Sequence, residues 1–172
     1  MAGTAISDIM KATNMAKGGI YGNFSGKEEI CAEVFGFLVK TLSLRIDSAI
    51  VNEGTAKGKL FALLDFYLGT LSLSEKGGCP ILNFGTEADD TSPEMKEQVN
   101  QAIVSFEKRI SQLVSEGKKE GEFLETADAK RFAVKMFAML EGAMLIGRVQ
   151  NSNKQVKMII DMLKEDIEGF ST

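Results

Sequence analysis

The chain has 172 residues, of which 44% are hydrophobic and 26% charged, and its formal net charge is -4. These values are typical of a globular protein, and the acidic balance argues against nucleic-acid binding by the whole surface. Histidine is absent, which removes the commonest general base and metal ligand. Cys31 and Cys79 lie far apart with no CxxC motif, so neither a disulfide framework nor a zinc site is indicated. We predict no enzyme activity, no cofactor and no metal.

The sequence also indicates where the protein resides. No apolar run approaches the roughly 18 residues that a membrane helix requires. The first ten residues, MAGTAISDIM, lack the charged and then hydrophobic layout of a secretory signal. A cytoplasmic protein without a membrane partner is therefore predicted.

The first predicted elements are two short helices within residues 4–27. Thr4 is predicted to cap the first helix, and Asn14 to end it, because Asn tolerates the left-handed backbone conformation that reverses a chain. The apolar positions at helical spacing are Ile6, Ile9, Met10, Ile20 and Phe24. One face of the second helix is thus predicted to be buried and the other to face outward, the division that a helix-turn-helix requires.

The string Lys-Gly-Gly-Ile-Tyr-x-x-Phe-x-x-Lys-Glu-Glu, which begins at Lys17, resembles the recognition helix of the TetR family of transcriptional repressors. The resemblance implies an all-α fold, with a helix-turn-helix DNA-binding head at residues 1–30 and a helical ligand-binding and dimerisation body at residues 31–172. It further implies a dimer that binds operator DNA and is released by a small, largely apolar effector. The implied DNA-facing residues are Thr4, Lys17, Gly18, Gly19, Tyr21, Asn23 and Lys27.

Residues 1–27 contain three lysines against one aspartate, a net charge of +2 in an acidic chain, which fits a DNA-binding head. In the TetR family another amphipathic helix precedes the segment that begins here at Thr4, and this sequence has only Met1 to Gly3 in its place. The head is therefore expected to be N-terminally truncated and loosened. We expect this chain to bind operator DNA more weakly than a version of the chain extended at its N-terminus.

Helical spacing predicts six further helices and no strand. The first spans about residues 27–51, and its apolar stripe consists of Ile30, Val34, Phe37, Leu38, Thr41 and either Leu44 or Leu42. The next, about residues 57–73, is apolar nearly all round and should be enclosed by neighbours. A short helix covers about residues 81–88, and a long one starts at Pro93 and ends near Gly117. The last two helices are separated by a turn at residues 151–153, and Thr126 is predicted to cap the first of them.

The last two helices each carry a wide apolar face, which admits two interpretations. Either the faces pack in the core of one chain, or they form a four-helix bundle with a second chain. The TetR resemblance implies the second, and small residues such as Gly142 and Gly147 would permit close approach, so we predict a homodimer. The predicted interface residues are Phe132, Met136, Met139, Ala143, Ile146, Val156, Ile159, Ile160, Leu163 and Ile167.

The effector is expected inside the body. The candidate lining residues are Phe37, Phe61, Leu64, Phe66, Tyr67, Phe84, Phe106, Met139 and Met144, although any one of them could belong to the core instead. Glu87 and Glu141 are candidate polar anchors. Cys79 lies at a predicted helix start, where backbone N–H groups lower the pKa of a thiol, so it is either a sensor thiol or a buried structural cysteine.

Three functions compete at this point. The first is a ligand-released transcriptional repressor, and the second is a helical small-molecule-binding or heterodimerising regulator without a competent DNA head. A helical enzyme comes third, because the sequence offers no histidine and no nucleophile paired with a base.

Overall fold

The computed structural model describes residues 3–70 and 77–172, and the chain in these ranges is all-α. The helices, in chain order, are α1 (Ile6–Thr13), α2 (Lys17–Tyr21), α3 (Lys27–Ile50), α4 (Ala56–Thr70), α5 (Pro80–Ala88), α6 (Pro93–Lys119), α7 (Ala129–Gln150) and α8 (Lys154–Gly169). Among these helices, none has the length and hydropathy of a membrane span. The predicted continuation of α4 to Leu73 lies outside the described residues.

The first two helices form a helix-turn-helix head. Ala5, and not the predicted Thr4, is the N-cap of α1, and the carboxylate of Asp8 accepts a hydrogen bond from the Ala5 N–H at 2.8 Å. The end of α1 is confirmed, since Asn14 adopts the left-handed conformation with φ 55°. Helix α2 packs against α1 and buries Ile20, which is 2% exposed.

Helix α3 leads from the head into the body, and its predicted buried face is wrong. The buried residues are Phe35 and Ile46, whereas Val34 and Phe37 of the predicted stripe are 44% and 68% exposed. The reason is that apolar residues occur on several sides of this helix, and α4 and α5 cover only the side that carries Phe35 and Ile46. Spacing alone therefore does not identify the covered side.

Helix α4 is at the centre of the body, as its composition predicts. Leu60, Leu63 and Leu64 are fully buried, and α4 contacts α3, α6 and α8. A helix with apolar residues all round is stable in water only when neighbours cover each of its sides.

Helices α6, α7 and α8 complete the body. The Ser92 hydroxyl accepts from the Met95 N–H at 3.3 Å where α6 begins, and Val99, Phe106 and Ile110 of this helix are buried. Asp128, and not the predicted Thr126, caps α7 by accepting from the Arg131 N–H at 3.0 Å. Helix α7 lies between α6 and α8 and packs against both.

A short segment after α6 ties the end of the chain to the body. The Phe123 ring is 2% exposed and lies edge-on to Phe170, with 5.0 Å between the ring centroids. The Leu124 N–H donates to the Phe170 carbonyl at 2.8 Å, and the Thr172 N–H donates to the Glu122 carbonyl at 3.0 Å. Residues 122–124 and 170–172 therefore hold each other in place at one end of the helical body.

Glu122 in this segment also caps α4. Its two carboxylate oxygens accept from the N–H groups of Ala56 and Lys57, each at 2.9 Å. These N–H groups lie in the first turn of the helix and have no partner within it. The negative charge also interacts favourably with the N-terminal end of the helix dipole.

We expect Glu122→Ala to lower the free energy of unfolding by about 1.5 kcal/mol, because two N–H groups of α4 lose a charged acceptor. Urea denaturation followed by circular dichroism, at fixed protein concentration, measures this change. Glu125→Ala is the matched control, since that carboxylate is 86% exposed and 3.9 Å from Lys118. Its effect should stay below about 0.5 kcal/mol, and equal losses in the two variants would contradict the capping role.

Candidate functional site

The outer face of α2 carries most of the residues predicted to face DNA. Ile20 points into the head, while Lys17, Tyr21 and Asn23 are exposed. Thr4, Gly18 and Gly19 are also exposed, and Lys27 is half-buried at the start of α3. The sequence therefore divided the buried and outward residues of α2 correctly.

Two of these side chains contact each other. The Lys17 ammonium lies 5.7 Å from the centroid of the Tyr21 ring, in the range of a cation–π interaction. Since the two residues are one turn apart, they form one positively charged and aromatic surface on α2. A Cβ added at Gly18 would meet no described atom within 4 Å, so the start of α2 is open to close approach by another molecule.

Asn23 has a local partner that the sequence did not reveal. Its side-chain Nδ2 donates to the Gly19 carbonyl at 2.8 Å. This bond satisfies a carbonyl at the C-terminal end of α2 and holds the Asn23 amide against its own helix. The Asn23 amide would therefore contact DNA in the orientation that this hydrogen bond holds.

The turn between α2 and α3 is organised by a pair that sequence reasoning missed. The Ser25 N–H and hydroxyl donate to Glu29 Oε2 at 2.6 and 2.7 Å. These bonds lower the pKa of Glu29 from its ordinary value. They fix the turn in which Lys27 follows the head. The spacing of Ser25 and Glu29 is one residue longer than that of a capping box, so no standard sequence signal pointed to this pair.

The residues predicted to line an effector site do not form one group. Phe66, Tyr67 and Phe106 form a chain of rings, with centroids 5.5 Å apart in the first pair and 6.2 Å in the second. Leu64 and Met144 are buried in the core, Phe84 packs against Phe35, and Met139 is half-buried. Phe61 lies beneath the ammonium groups of Lys57 and Lys164.

The prediction that Phe37 faces the interior is wrong. Its side chain is 68% exposed, because α4 and α5 cover the other side of α3. Of the two candidate polar anchors, Glu87 lies in a groove with Lys27 and Glu28, where the head joins the body. Glu141 lies inside the body on α7.

Cys79 and Glu141 form a buried pair. The Cys79 thiol is 2% exposed and donates to Glu141 Oε1 at 3.1 Å, whereas Oε2 is buried and has no partner within the described ranges. Burial raises the pKa of the Glu141 carboxyl. Burial and the Glu141 charge also raise the pKa of the Cys79 thiol well above its ordinary value.

The predicted lowering of the thiol pKa at the start of α5 is therefore wrong in its net direction. Backbone hydrogen bonds from Ile81 and Leu82 do lower the pKa of Cys79, but burial and Glu141 outweigh them. Because the thiolate is the reactive form, the thiol is held in its less reactive state. A sensor role for Cys79 stays a prediction.

Most residues predicted to form the dimer interface are buried within one protomer, so this part of the prediction is wrong. Met139, Ile146 and Ile159 retain exposure, whereas the remainder are buried against their own chain. The buried ones are Phe132, Met136, Ala143, Val156, Ile160, Leu163 and Ile167. The spacing identified a real apolar face, but that face packs against the protomer's own α4 and α6 and at the α7–α8 contact.

Gly147, predicted to allow close approach between two chains, also packs within one protomer. A Cβ there would lie 2.6 Å from Val156 Cγ2, so Gly147 permits the close approach of α7 to α8 within a protomer.

The opposite side of α7 carries a second apolar stripe. Val134, Leu145 and Val149 are 52%, 53% and 74% exposed. Their spacing places them on one side of the helix, roughly opposite the buried residues. Met158 and Met162 on α8 are 50% and 47% exposed. We call the five residues together the outer α7–α8 face.

A small head with a charged and aromatic outer helix, joined by one long helix to an all-α body, defines a helix-turn-helix regulator. Residues 56–163, more than half of the chain, match the sequence family described as Tetracyclin repressor-like, C-terminal domain. The chain belongs to the TetR family of transcriptional regulators.

Individual relatives agree with this assignment. A solved TetR transcriptional regulator from Chloroflexus aurantiacus J-10-FL is 32% identical, with a TM-score of 0.92 over 99% of this chain and 86% of that one. A TetR-family regulator from Cytophaga hutchinsonii is 29% identical, with a TM-score of 0.91 and the same coverage. The HTH-type transcriptional repressor DhaR of Mycobacterium sp. (strain GP1) is 21% identical over 168 residues, which are 95% of this chain and 82% of the repressor.

Proposed function

We propose that this TetR-family regulator is a repressor that binds operator DNA as a homodimer and is released by a small effector. In this proposal residues 1–30 are the DNA-binding head, and residues 31–172 bind the effector and form the dimer. The observation that carries the proposal is the surface of α2, where Ile20 is buried while Lys17 and Tyr21 face outward together.

The chemistry of this surface suits the major groove. The Lys17 ammonium can contact a phosphate, which supplies affinity without reading sequence. The Tyr21 hydroxyl and ring can contact a backbone oxygen or a base edge, and the open start of α2 at Gly18 lets the backbone approach closely. Lys27, at the N-terminal end of α3, adds a cation where backbone N–H groups also favour a phosphate.

The outer α7–α8 face supports the dimer. Its five residues are 47% to 74% exposed in one protomer. A second copy packed on this face would bury their apolar surface, and each Å² buried stabilises the dimer by about 25 cal/mol. A two-fold arrangement of α7 and α8 would bring these five residues against the same five in the partner, as an isologous interface requires. Two heads related by that axis would contact two operator half-sites.

We expect Lys17→Ala to weaken binding to the DNA upstream of the gene about tenfold and to lower the salt slope by about 1. Fluorescence anisotropy at several salt concentrations measures both quantities. Lys154→Ala, at the exposed start of α8, makes the same charge change on the body and should leave both quantities unchanged.

Equal losses in Lys17→Ala and Lys154→Ala would mean that α2 is not the contacting surface. Absence of DNA binding by the unmodified protein, together with effector binding, would select the second candidate, a small-molecule-binding or heterodimerising regulator. One observation favours that candidate, since Ile20 is the only fully buried residue in the described helices α1 and α2. Such a head is less firmly packed than the body.

A further inference from the structure

A groove of about 550 Å³ separates α3 from α6 in the described part of the protein. Its floor is apolar and includes Ile46 on α3, Ile81 on α5 and Phe106 on α6, all of them buried in the core. Leu42 and Val39 on α3 are half-buried at its side. The volume lies in the range of small-molecule sites in proteins.

The rim of the groove is polar and positively charged on balance. Arg109 and Lys108 on α6 line the groove together with Asp47 on α3, so its lining carries two cations and one carboxylate. The Ser105 hydroxyl and the Gln112 amide also line the groove and add donors. An apolar floor with a net positive rim is complementary to a molecule that has an apolar body and one anionic group.

Asp47 occupies the place at which such an anion would bind. Its carboxylate accepts a hydrogen bond from Arg109 Nη2 and forms an ion pair with it across the groove. The Arg109 side chain is 23% exposed and the Asp47 side chain 57% exposed. Asp47 is thus the more accessible and more easily displaced partner, while the planar guanidinium stays in position to bind a new anion through two N–H groups.

The floor of the groove leads into the interior of the body. The Phe106 ring lies 6.2 Å from Tyr67 and 5.5 Å from Phe137, centroid to centroid. An aromatic ligand on this floor would therefore extend an existing stack of rings. Offset or edge-on ring contacts of this kind are favourable beyond the apolar area that they bury.

We propose that the α3–α6 groove is the effector site of this regulator and that it takes aromatic molecules carrying a sulfonate or carboxylate, whose anionic group displaces Asp47 from Arg109. The proposal rests on the proposed function only in naming the ligand an effector. The ligand separates α3 from α6 by replacing the Asp47–Arg109 pair. Helix α3 begins at Lys27, directly after the head, so a shift of α3 moves the recognition helix.

The test uses anilinonaphthalenesulfonate, a fluorescent aromatic sulfonate, and its neutral analogue N-phenylnaphthylamine, titrated into the full chain. We expect Arg109→Gln to weaken sulfonate binding at least about tenfold, since a charge-assisted bidentate contact is lost. Binding of the neutral analogue should change less than about twofold. Asp47→Asn should tighten sulfonate binding several-fold, because the competing carboxylate is gone.

The two substitutions are expected to change sulfonate affinity in opposite directions, although both break the same ion pair. This difference decides between a binding role and a structural role for the pair. A purely structural pair would give shifts in one direction for Arg109→Gln and Asp47→Asn, and that result would overturn the proposal. So would equal affinity for the sulfonate and the neutral analogue. The charge-matched controls Lys154→Gln and Asp161→Asn lie on exposed positions of α8 and should leave sulfonate binding unchanged.

The same probe tests the link to DNA. Saturating sulfonate should weaken operator binding by the unmodified protein about 5- to 150-fold, the usual range of allosteric coupling, and should not affect Arg109→Gln. Unchanged operator affinity in the saturated protein would overturn the effector role of the groove. If the protein bound no operator without the probe, the repressor proposal would fail, and the titrations with the two dyes would still decide whether the groove binds anions.

Discussion

Replacing Gly117 with alanine should lower the free energy of unfolding by about 2–3 kcal/mol, the cost of overpacking a filled core. A Cβ at this position would lie 2.3 Å from two ring carbons of Phe123 and 3.0 Å from the Cβ of Ala56. Phe123 cannot move aside easily, because its ring is buried and packs edge-on against Phe170. Phe170 in turn packs against Phe132, with 5.2 Å between the centroids.

Two further variants test whether the loss of stability in Gly117→Ala comes from the clash with Phe123. Gly36→Ala places the same methyl group at an exposed position within α3 where no described atom lies within 4 Å, and it should stabilise the protein by about 0.5–1 kcal/mol. The double variant Gly117→Ala with Phe123→Leu should lose less stability than the sum of its single changes, since the clashing ring is absent. Additive losses in a urea denaturation series would show that Phe123 is not the cause.

Charges on the outer α7–α8 face should dissociate the proposed dimer. We expect Leu145→Glu with Val149→Glu to raise the dimer dissociation constant by at least about 100-fold, because two carboxylates would have to leave water in an apolar contact. Operator affinity should fall as well, since two half-sites are then bound by separate chains. Sedimentation velocity measures the association, and fluorescence anisotropy the DNA binding.

The control for this pair of changes is Val51→Glu. Val51 follows α3 and is 71% exposed, so the substitution introduces a carboxylate at an exposed valine outside α7 and α8. That variant should remain a dimer at the same protein concentration. If Leu145→Glu with Val149→Glu also remained a dimer, the chains would associate through another surface. Circular dichroism would show whether the double variant is folded, which distinguishes dissociation from unfolding.

Local chemistry explains what the sequence predicted correctly. Asn14 and Asn151 both adopt the left-handed conformation, with φ 55° and 47°, because the residue type itself favours a chain reversal there. The division of α2 into buried Ile20 and outward Lys17 and Tyr21 follows from the helical period of one short segment. The N-caps lie one and two positions after the predicted ones: Ala5 rather than Thr4 is the N-cap of α1, and Asp128 rather than Thr126 caps α7.

The errors arise where the outcome depends on distant parts of the chain. Helices α3, α7 and α8 have apolar residues on more than one side, so spacing could not show which side the protomer covers and which it leaves exposed. The direction of the Cys79 pKa shift depended first on burial in the folded core and then on Glu141, which lies 62 residues away. The Asp47–Arg109 pair across the groove has the same sequence separation and leaves no local signature.

The contact between residues 122–124 and 170–172 has a consequence for synthesis of the chain on the ribosome. Phe123 is translated before α7 and α8, yet the Phe170 ring that covers it follows both helices. The Glu122 carboxylate that caps α4 lies in the same segment. At about 5–20 residues per second, the nascent body therefore spends several seconds with an exposed aromatic ring. Over that interval we expect chaperones that bind apolar segments to recognise the nascent body. Substitutions that slow the emergence of α8 should therefore lower the yield of folded protein, even where they leave the stability of the finished protein unchanged.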